Sequence, residues 1–244
     1  MGHDPRTIAL LLLVPALLLA LMKFMFDGQE QVFQSIGAPL CGMFPFIVMF
    51  LLTSITMLRE RTTGTLERLM TLPMSKLDLL LGYGLAFGLL GAAQAVVTCL
   101  VGFGLLGLNA SHGVLLVGAL AVLNALLGMA LGLLLSAFAR TEFQAAQFMP
   151  AFIFPQLLLC GLFVERSDMA PALEAISWLL PFTYAYDALA RATSPEDLGI
   201  AIVLDVAVVI ATTAAALAPG ALTLRRRTLR RNVTASLPGR RVGS

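Results

Sequence analysis

The chain has 244 residues, of which 59% are hydrophobic and 12% charged, and its mean hydropathy is +0.90. A soluble domain is about half apolar and about a quarter charged, so this chain has too little polar surface to cover a water-exposed globule. The net charge of +2 excludes no class of partner by itself. A helix that crosses a membrane needs roughly 20 apolar residues, so the length predicts about six spans with short loops.

Six apolar runs are predicted to be membrane-spanning helices, because backbone groups in hydrocarbon must be hydrogen-bonded within their own segment. We place the spans at residues 7–26, 36–58, 77–106, 114–139, 143–164 and 195–217. They form one all-α transmembrane domain over residues 1–224, and residues 225–244 are predicted to be a basic, flexible cytoplasmic tail. The first run is interpreted as a retained span, since its apolar core is too long for a signal peptide and no small-residue cleavage site follows.

Capping signals indicate where three of these helices begin. Ser75 with Asp78, and Thr141 with Gln144, have the spacing of a capping box, in which the first side chain accepts a hydrogen bond from the amide three residues later. The Ser-Pro pair at 194–195 resembles an N-cap followed by the first helical position, and acidic residues come next. These signals predict the starts of the third, fifth and sixth spans.

Two segments between the spans have a predicted character of their own. Residues 27–34 are expected to be a polar loop, and residues 171–180 a short amphipathic helix at the membrane interface, the depth that Trp178 favours. Two Gly-x-x-x-Gly pairs predict close helix contacts, mainly within one subunit. They are Gly84 with Gly88 and Gly128 with Gly132.

The distribution of Lys and Arg predicts that both termini lie in the cytoplasm. With the N-terminus inside, 13 of the 16 Lys and Arg residues fall on inner segments, and Lys23, Arg166 and Arg191 fall outside. This is the arrangement that the positive-inside rule favours. It places the loop between the second and third spans on the cytoplasmic side.

The sequence contains no recognisable catalytic motif. It has no phosphate-binding loop, no His-Glu-x-x-His helix and no Gly-x-Ser-x-Gly elbow, and Cys41, Cys99 and Cys160 lie in apolar runs without metal or disulfide spacing. We expect a protein that is not an enzyme and that holds no metal or cofactor, with any ATP and magnesium bound to a separate subunit. Asp205 lies within the sixth span, where it is either functional or able to reach the outer interface.

The cytoplasmic loop after the second span is the most informative segment. Leu66, Leu69 and Met70 share one helical face, while Glu67 and Arg68 lie on the others. Pro73 then stops the run. The pattern predicts a short amphipathic helix between two spans, which can transmit movement to a soluble partner; a merely solvated loop is the open alternative.

The string RERTTGTLERLMTLPMS at residues 59–75 resembles the signature of the ABC type 2 exporter permeases. Weaker similarities follow in order at residues 4–6, 136–142, 160–163 and 180–189. The family usually has an elbow helix before the first span, whereas six residues precede it here. The resemblance implies a coupling helix that docks on an ATP-binding subunit. Its residues would be Glu60, Arg61, Thr63, Gly64, Leu66, Glu67, Arg68, Leu69 and Pro73.

The resemblance also implies a route and a gate. The second and fifth spans would line a cargo path at a permease dimer interface, with Met49, Thr53, Ser54, Gln144, Gln147, Phe148 and Phe152. Bonding to neighbouring helices and contact with lipid are the open alternatives for these side chains. Residues 165–189 would form a re-entrant outer hairpin that closes the exit. The predicted gate residues are Gly161, Phe163, Pro171, Trp178, Pro181 and Tyr184.

The predicted function is the transmembrane subunit of an ATP-driven exporter in a bacterial inner membrane. Its Phe- and Met-rich walls suit an apolar or amphipathic cargo, such as a drug-like molecule, a lipid or a glycan. The expected partners are a separate ATP-binding subunit, a second copy or a homologous permease, and membrane lipid, with no nucleic acid. A non-transporting membrane scaffold and an intramembrane enzyme are the alternatives.

Overall fold

The computed structural model describes residues 5–63, 76–139, 141–195 and 198–235, and within these ranges the chain is helical without any β-strand. A π-helix over Leu100–Leu105 continues the third helix, and a 3-10 turn covers Arg166–Asp168. The α-helices are α1 Pro5–Met25, α2 Glu30–Thr62, α3 Lys76–Cys99, α4 Val114–Ser136, α5 Glu142–Leu159, α6 Pro171–Ser177, α7 Pro181–Thr193 and α8 Ala201–Ala235.

Four helices are long and apolar enough to cross a membrane. They lie at Glu30–Glu60 in α2, Gly82–Leu105 in α3 and its π-helical continuation, Val114–Ser136 in α4, and Ala201–Ala218 in α8. Shorter apolar stretches occupy Ala9–Met25 in α1 and Phe143–Leu159 in α5. The all-helical membrane class is therefore confirmed, while the count of six spans stays a prediction.

α2 is the central helix, and it packs most extensively along α4. A Cβ atom at Gly128 would overlap the carbonyl oxygen of Phe46, and one at Gly132 would lie 2.5 Å from the carbonyl oxygen of Phe50. Only glycine allows the two backbones to approach this closely. The second Gly-x-x-x-Gly pair thus makes the predicted close contact, within a single chain.

The first Gly-x-x-x-Gly pair behaves differently. A Cβ atom at Gly84 would meet nothing within 4 Å, and one at Gly88 would touch only the end of the Leu126 side chain, at 3.4 Å. The predicted close helix contact is therefore wrong for this pair within the chain. The spacing alone does not specify a contact, because a neighbouring backbone must also face it.

Two predicted boundaries near α2 and α5 need correction. α2 begins at Glu30, so residues 30–34 are helical and not part of a polar loop. Glu30 in the first turn complements the helix dipole, and the turn is made earlier by Gly28 at φ +79°. α5 ends at Leu159 and not at residue 164, and Gly161 follows it at φ +103°, a conformation that breaks a helix.

The last helix also differs from its prediction at both ends. Ser194 ends α7 in an extended conformation and does not cap the last span; α8 begins at Ala201, after Gly199 at φ +56°. A Ser-Pro pair can follow a helix as readily as it can begin one. At the other end α8 continues to Ala235, so residues 225–235 are helical, while a flexible cytoplasmic tail over 225–244 stays a prediction. Arg, Leu and Ala, which dominate residues 221–231, have high helix propensities.

Contacts between loops define two ends of the bundle. At the end that we call the hairpin end, the Gln34 side chain donates to the Gly107 carbonyl oxygen and accepts from the Asn109 amide, both at 2.9 Å. The His112 amide donates to the Ala192 carbonyl oxygen at 3.3 Å. The loops after α1, α3 and α7 therefore share this end. The opposite end, called the motif end, holds the end of α2 and the α4–α5 connection, where Leu58, Ala139, Ala145 and Phe148 cluster.

Candidate functional site

The predicted coupling helix begins at the motif end. Its residues Gly64, Leu66, Glu67, Arg68, Leu69 and Pro73 lie outside the described residues, as does the side chain of Arg61. Glu60 lies near the end of α2, and the amide and hydroxyl of Thr63 both donate to the Arg59 carbonyl oxygen at 2.9 Å. The hydroxyl of Tyr83 on α3 donates to the Glu60 carboxylate. This bond links the two helices that flank the predicted coupling segment.

Tyr83 was missed by sequence reasoning. It lies 23 residues after Glu60, across the whole loop, and nothing in the local pattern pairs the two side chains. A tyrosine near the start of a span is more simply interpreted as an interfacial residue. Only the tertiary arrangement identifies it as the partner of a residue in the signature string.

The predicted path residues on α2 lie inside the subunit. Met49, Thr53 and Ser54 are fully buried, and Met49 packs against Ala125 and Met129 of α4. Neither hydroxyl has a hydrogen-bond partner among the described residues. In this conformation these three side chains are separated from any open surface of the bundle.

The predicted path residues on α5 divide between two sides of the helix. Phe152 faces inward and stacks on Phe50 with ring centroids 6.1 Å apart, and Phe148 packs in the cluster at the motif end. Gln144 is half-buried, and its backbone amide donates to the Thr141 hydroxyl at 3.1 Å, which confirms the predicted cap. Gln147 is exposed. It shares one exposed face, which we call the open face of α5, with Phe143, Pro150, Ala151, Phe154, Pro155 and Leu158.

Four of the six predicted gate residues lie on the consecutive helices α6 and α7 or in the turn between them, and Gly161 and Phe163 precede α6. Pro171 and Pro181 occupy the first turns of α6 and α7, where the missing amide hydrogen costs nothing. The Tyr184 hydroxyl donates to the Trp178 carbonyl oxygen at 2.8 Å, and the two rings lie 6.1 Å apart. These contacts hold α6 against the start of α7. Phe163, in the turn that follows Gly161, is exposed.

α7 is fixed to the bundle more firmly than α6. The Phe182 amide donates to the Gln156 side chain at 3.3 Å, and the Phe182 ring lies 4.6 Å from that of Phe46. Seven residues of α7 are buried, whereas in α6 only Ser177 is buried. The hairpin therefore has one helix inside the core and one on its surface.

Two ion pairs at the hairpin end were not predicted. Arg166 Nη2 lies 2.7 Å from Asp187 Oδ2, and Arg191 Nε donates to Asp205 Oδ2 at 3.1 Å. Burial raises the pKa of the Asp187 carboxyl, and the Arg166 guanidinium acts in the opposite direction. The Arg166 guanidinium also lies over the Trp178 ring, 4.5 Å from its centroid. Asp205 thus has an ion-pair partner fourteen residues earlier in the chain, which no sequence signal indicates.

A cavity of about 400 Å³ opens beside the first ion pair. Its walls carry three carboxylates, one guanidinium and two aromatic rings, together with the turn that follows α5. The lining residues are Cys160, Gly161, Glu165, Arg166, Ser167, Glu174, Trp178, Tyr186 and Asp187.

Comparison with known proteins gives consistent matches. The family model for the ABC-2 type transporter matches residues 1–192. The chain is 26% identical over 162 residues to the probable multidrug ABC transporter permease YbhS of Escherichia coli (strain K12), covering 66% of this chain and 43% of that protein. It is 25% identical over 148 residues to the probable multidrug ABC transporter permease YbhR of the same strain, covering 61% and 40%. The chain thus spans less than half the length of these relatives.

Proposed function

The chain belongs to the ABC-2 type transporter family, and we propose that it is the transmembrane subunit of an ATP-driven exporter of an apolar or amphipathic cargo. The observation that carries this proposal is the open face of α5. Phe143 and Phe154 are 73% and 52% exposed there, beside the exposed amide of Gln147. A polar amide within an apolar helix is costly in lipid, so this face suits a protein partner and a passing amphipathic molecule.

A second permease copy or a homologous permease is the proposed partner at this face. Pro150 and Pro155 each remove a backbone hydrogen bond within α5, and the carbonyl groups that they free need other partners. A facing helix, or water along a route, supplies such partners. The cargo path then runs along α5, with Gln147 as its polar contact.

Six spans with both termini in the cytoplasm fit the helix lengths. α1 has 21 residues and α5 has 18, and at about 1.5 Å per residue both approach the roughly 30 Å of a hydrocarbon core. Lys23, Arg166 and Arg191, the three cations predicted outside, all lie at the hairpin end. We therefore place the hairpin end outside and the motif end in the cytoplasm.

The α6–α7 hairpin is proposed to enter the outer leaflet and to close the exit. α6 and the turn after it expose Leu173, Ile176, Trp178 and Leu179, the last at 82%. Apolar side chains beside a tryptophan favour the boundary between headgroups and hydrocarbon. Movement of this hairpin would open and close the outer end of the path.

Energy would enter at the motif end. An ATP-binding subunit would hold ATP and magnesium and dock on the segment from Glu60 to Pro73. The hydrogen bond between Tyr83 and Glu60 would transmit movement of the ATP-binding subunit to α3 as well as to α2. Such coupling requires that nucleotide and cargo favour the same conformation unequally.

A drug-like amphipath is the preferred cargo class, and the names of the two relatives support it. A membrane lipid or a glycan precursor carried on a lipid shares the same chemistry of an apolar body with a polar end. The open face of α5, with its two exposed phenylalanine rings, accommodates either.

Reconstitution with a phosphate-loop ATPase that copurifies with the chain tests the proposal. We expect ATP-dependent movement of ethidium, with fluorescent phosphatidylethanolamine as the lipid alternative, in proteoliposomes. Glu67→Ala and Arg68→Ala should leave the complex assembled but remove cargo movement, while Glu30→Gln at the hairpin end should change neither. Failure to bind any phosphate-loop ATPase would overturn the exporter assignment in favour of a membrane scaffold.

A further inference from the structure

We propose that the ion pair between Arg166 and Asp187 is a latch that holds a movable flap, residues 161–176, closed over Cys160. The flap comprises the turn after α5 and most of α6; α6 packs on α5, and Arg166 reaches α7. The inference deepens the proposed function, since opening of this flap is the gating step at the exit. It names which part of the hairpin moves and what holds it.

The flap is the weakly packed part of the hairpin. Leu173 and Ile176 are exposed, whereas α7 buries Phe182, Ala185 and Leu189 in the core. A segment with few buried side chains opens at lower free energy than one that is packed on several helices. Movement at this end of the molecule is therefore expected in the flap, with α7 as its fixed base.

The two ends of the flap differ, and only the end at Gly161 has the features of a hinge. Gly161 has φ +103°, a conformation open to glycine and strained for other residues. At the other end, the Thr183 hydroxyl donates to the Ser177 carbonyl oxygen and the Tyr184 hydroxyl to that of Trp178, both at 2.8 Å. The flap is thus anchored where it joins α7, and Gly161 is the hinge of the proposed movement.

The latch itself is a desolvated ion pair. The side chains of Arg166 and Asp187 are only 17% and 11% exposed, and the Trp178 ring covers the guanidinium. Removing one partner from such a pair leaves an unpaired buried charge, which strongly destabilises the closed arrangement. In the open arrangement both charges regain water, so the penalty falls on the closed state alone.

The second ion pair fixes the base to the bundle. Arg191 of α7 binds Asp205 of α8 at 3.1 Å. Asp187 also interacts electrostatically with Arg191, and Asp205 with Arg166, so the four charges form one network. The network holds the Asp187 carboxylate in position for its ion pair with Arg166, the one Lys or Arg residue of the flap.

Cys160 reports on the flap directly. It lies at the end of α5 in the wall of the cavity that Arg166 and Asp187 also line, yet it has no exposed surface. Its thiol donates to the Leu157 carbonyl oxygen at 3.2 Å. Because Cys160 lines the same cavity as Arg166 of the flap, we expect that lifting the flap exposes this thiol. Cys41 and Cys99 are the other two cysteines of the chain, and replacing both with Ala leaves Cys160 alone.

The test is the rate at which a polar maleimide labels Cys160 in protein held in lipid nanodiscs, where both faces are accessible. In the Cys41→Ala, Cys99→Ala background, Asp187→Asn should raise the labelling rate by about tenfold or more. The reason is that losing one partner of a buried ion pair raises the equilibrium constant for opening by at least about tenfold. Glu30→Gln, which breaks the 2.8 Å ion pair of Lys23 at the same end, should leave the rate unchanged.

Equal labelling of Asp187→Asn and its parent would overturn the latch. If Asp187→Asn does not fold, Arg166→Gln removes the cation of the pair and the same reagent is used, with acrylamide quenching of Trp178, the only tryptophan, as a second measurement. Faster labelling and stronger quenching support the latch, and parental values of both overturn it. The labelling experiment needs neither ATP nor cargo. Its result therefore does not depend on whether the chain is an exporter, and the two proposals can fail separately.

Discussion

α2 and α5 were predicted to line the same path, but the structure gives them different surroundings. α2 is enclosed by other helices, and Phe46, Met49 and Phe50 on it are fully buried. α5 packs on α2 through one side and leaves Phe143 and Phe154 exposed on the other. The comparison teaches that α2 completes the core of the subunit, whereas the open face of α5 is the side available to a partner or a cargo.

The largest effect is expected where α2 meets α4. Gly128→Ala places a methyl group against the Phe46 carbonyl oxygen. Because this oxygen belongs to the backbone of α2, the clash cannot be relieved by rotating a side chain. We expect a loss of about 3 kcal/mol, at the upper end of overpacking costs. The measurement is the thermal unfolding midpoint of the purified protein. Gly118→Ala is the control in the same helix, because its Cβ would meet no atom within 4 Å; equal losses in the two variants would show that the α2–α4 contact is not tight.

The motif end of α2 offers the next largest effect. Tyr83→Phe removes the hydroxyl that donates to Glu60, and hydrogen bonds to charged groups contribute about 1.5–3 kcal/mol. We expect faster amide hydrogen exchange at residues 59–63, with the hairpin end unaffected. A double-mutant cycle with Glu60→Ala isolates the pair, since the second change should cost little once the first has been made. Strictly additive losses would contradict the link between α2 and α3.

The open face of α5 predicts a smaller, intermolecular effect. Phe154→Ala should weaken self-association by about tenfold, since a central aromatic side chain at an interface contributes at least 1–2 kcal/mol. Energy transfer between labelled copies in proteoliposomes measures this. Leu89→Ala on α3 is the matched control, because Leu89 is 71% exposed on another helix. Equal weakening in both variants would mean that α5 has no special role in association.

Local chemistry made several features predictable from the sequence. The Thr141 cap and the Gly128–Gly132 contact depend on spacings of three and four residues along one helix, so the sequence carries them directly. The short helix predicted over residues 171–180 likewise begins at Pro171, whose ring presets the first helical turn, although it ends at Ser177.

The difference between α2 and α5 could not be predicted. Both helices are apolar with internal prolines, and a lipid chain is as apolar as a protein core, so hydrophobicity does not tell which side is buried in protein. The pairs Arg166–Asp187 and Glu60–Tyr83 join residues more than 20 positions apart. Such pairs depend on helix packing, which a single sequence does not display.

The smallest effect concerns the start of α5. Thr141→Ala removes the side-chain oxygen that accepts from the Gln144 amide at 3.1 Å, and loss of an N-cap costs about 0.5–2 kcal/mol. We expect faster amide exchange over residues 142–146, while the exchange of α2 stays unchanged because α2 is held by its own neighbours. Thr141→Ser keeps the cap and should behave as the parent. A change that spread into α2 would mean that the two helices respond as one unit, and the contrast between the enclosed and the open helix would then disappear.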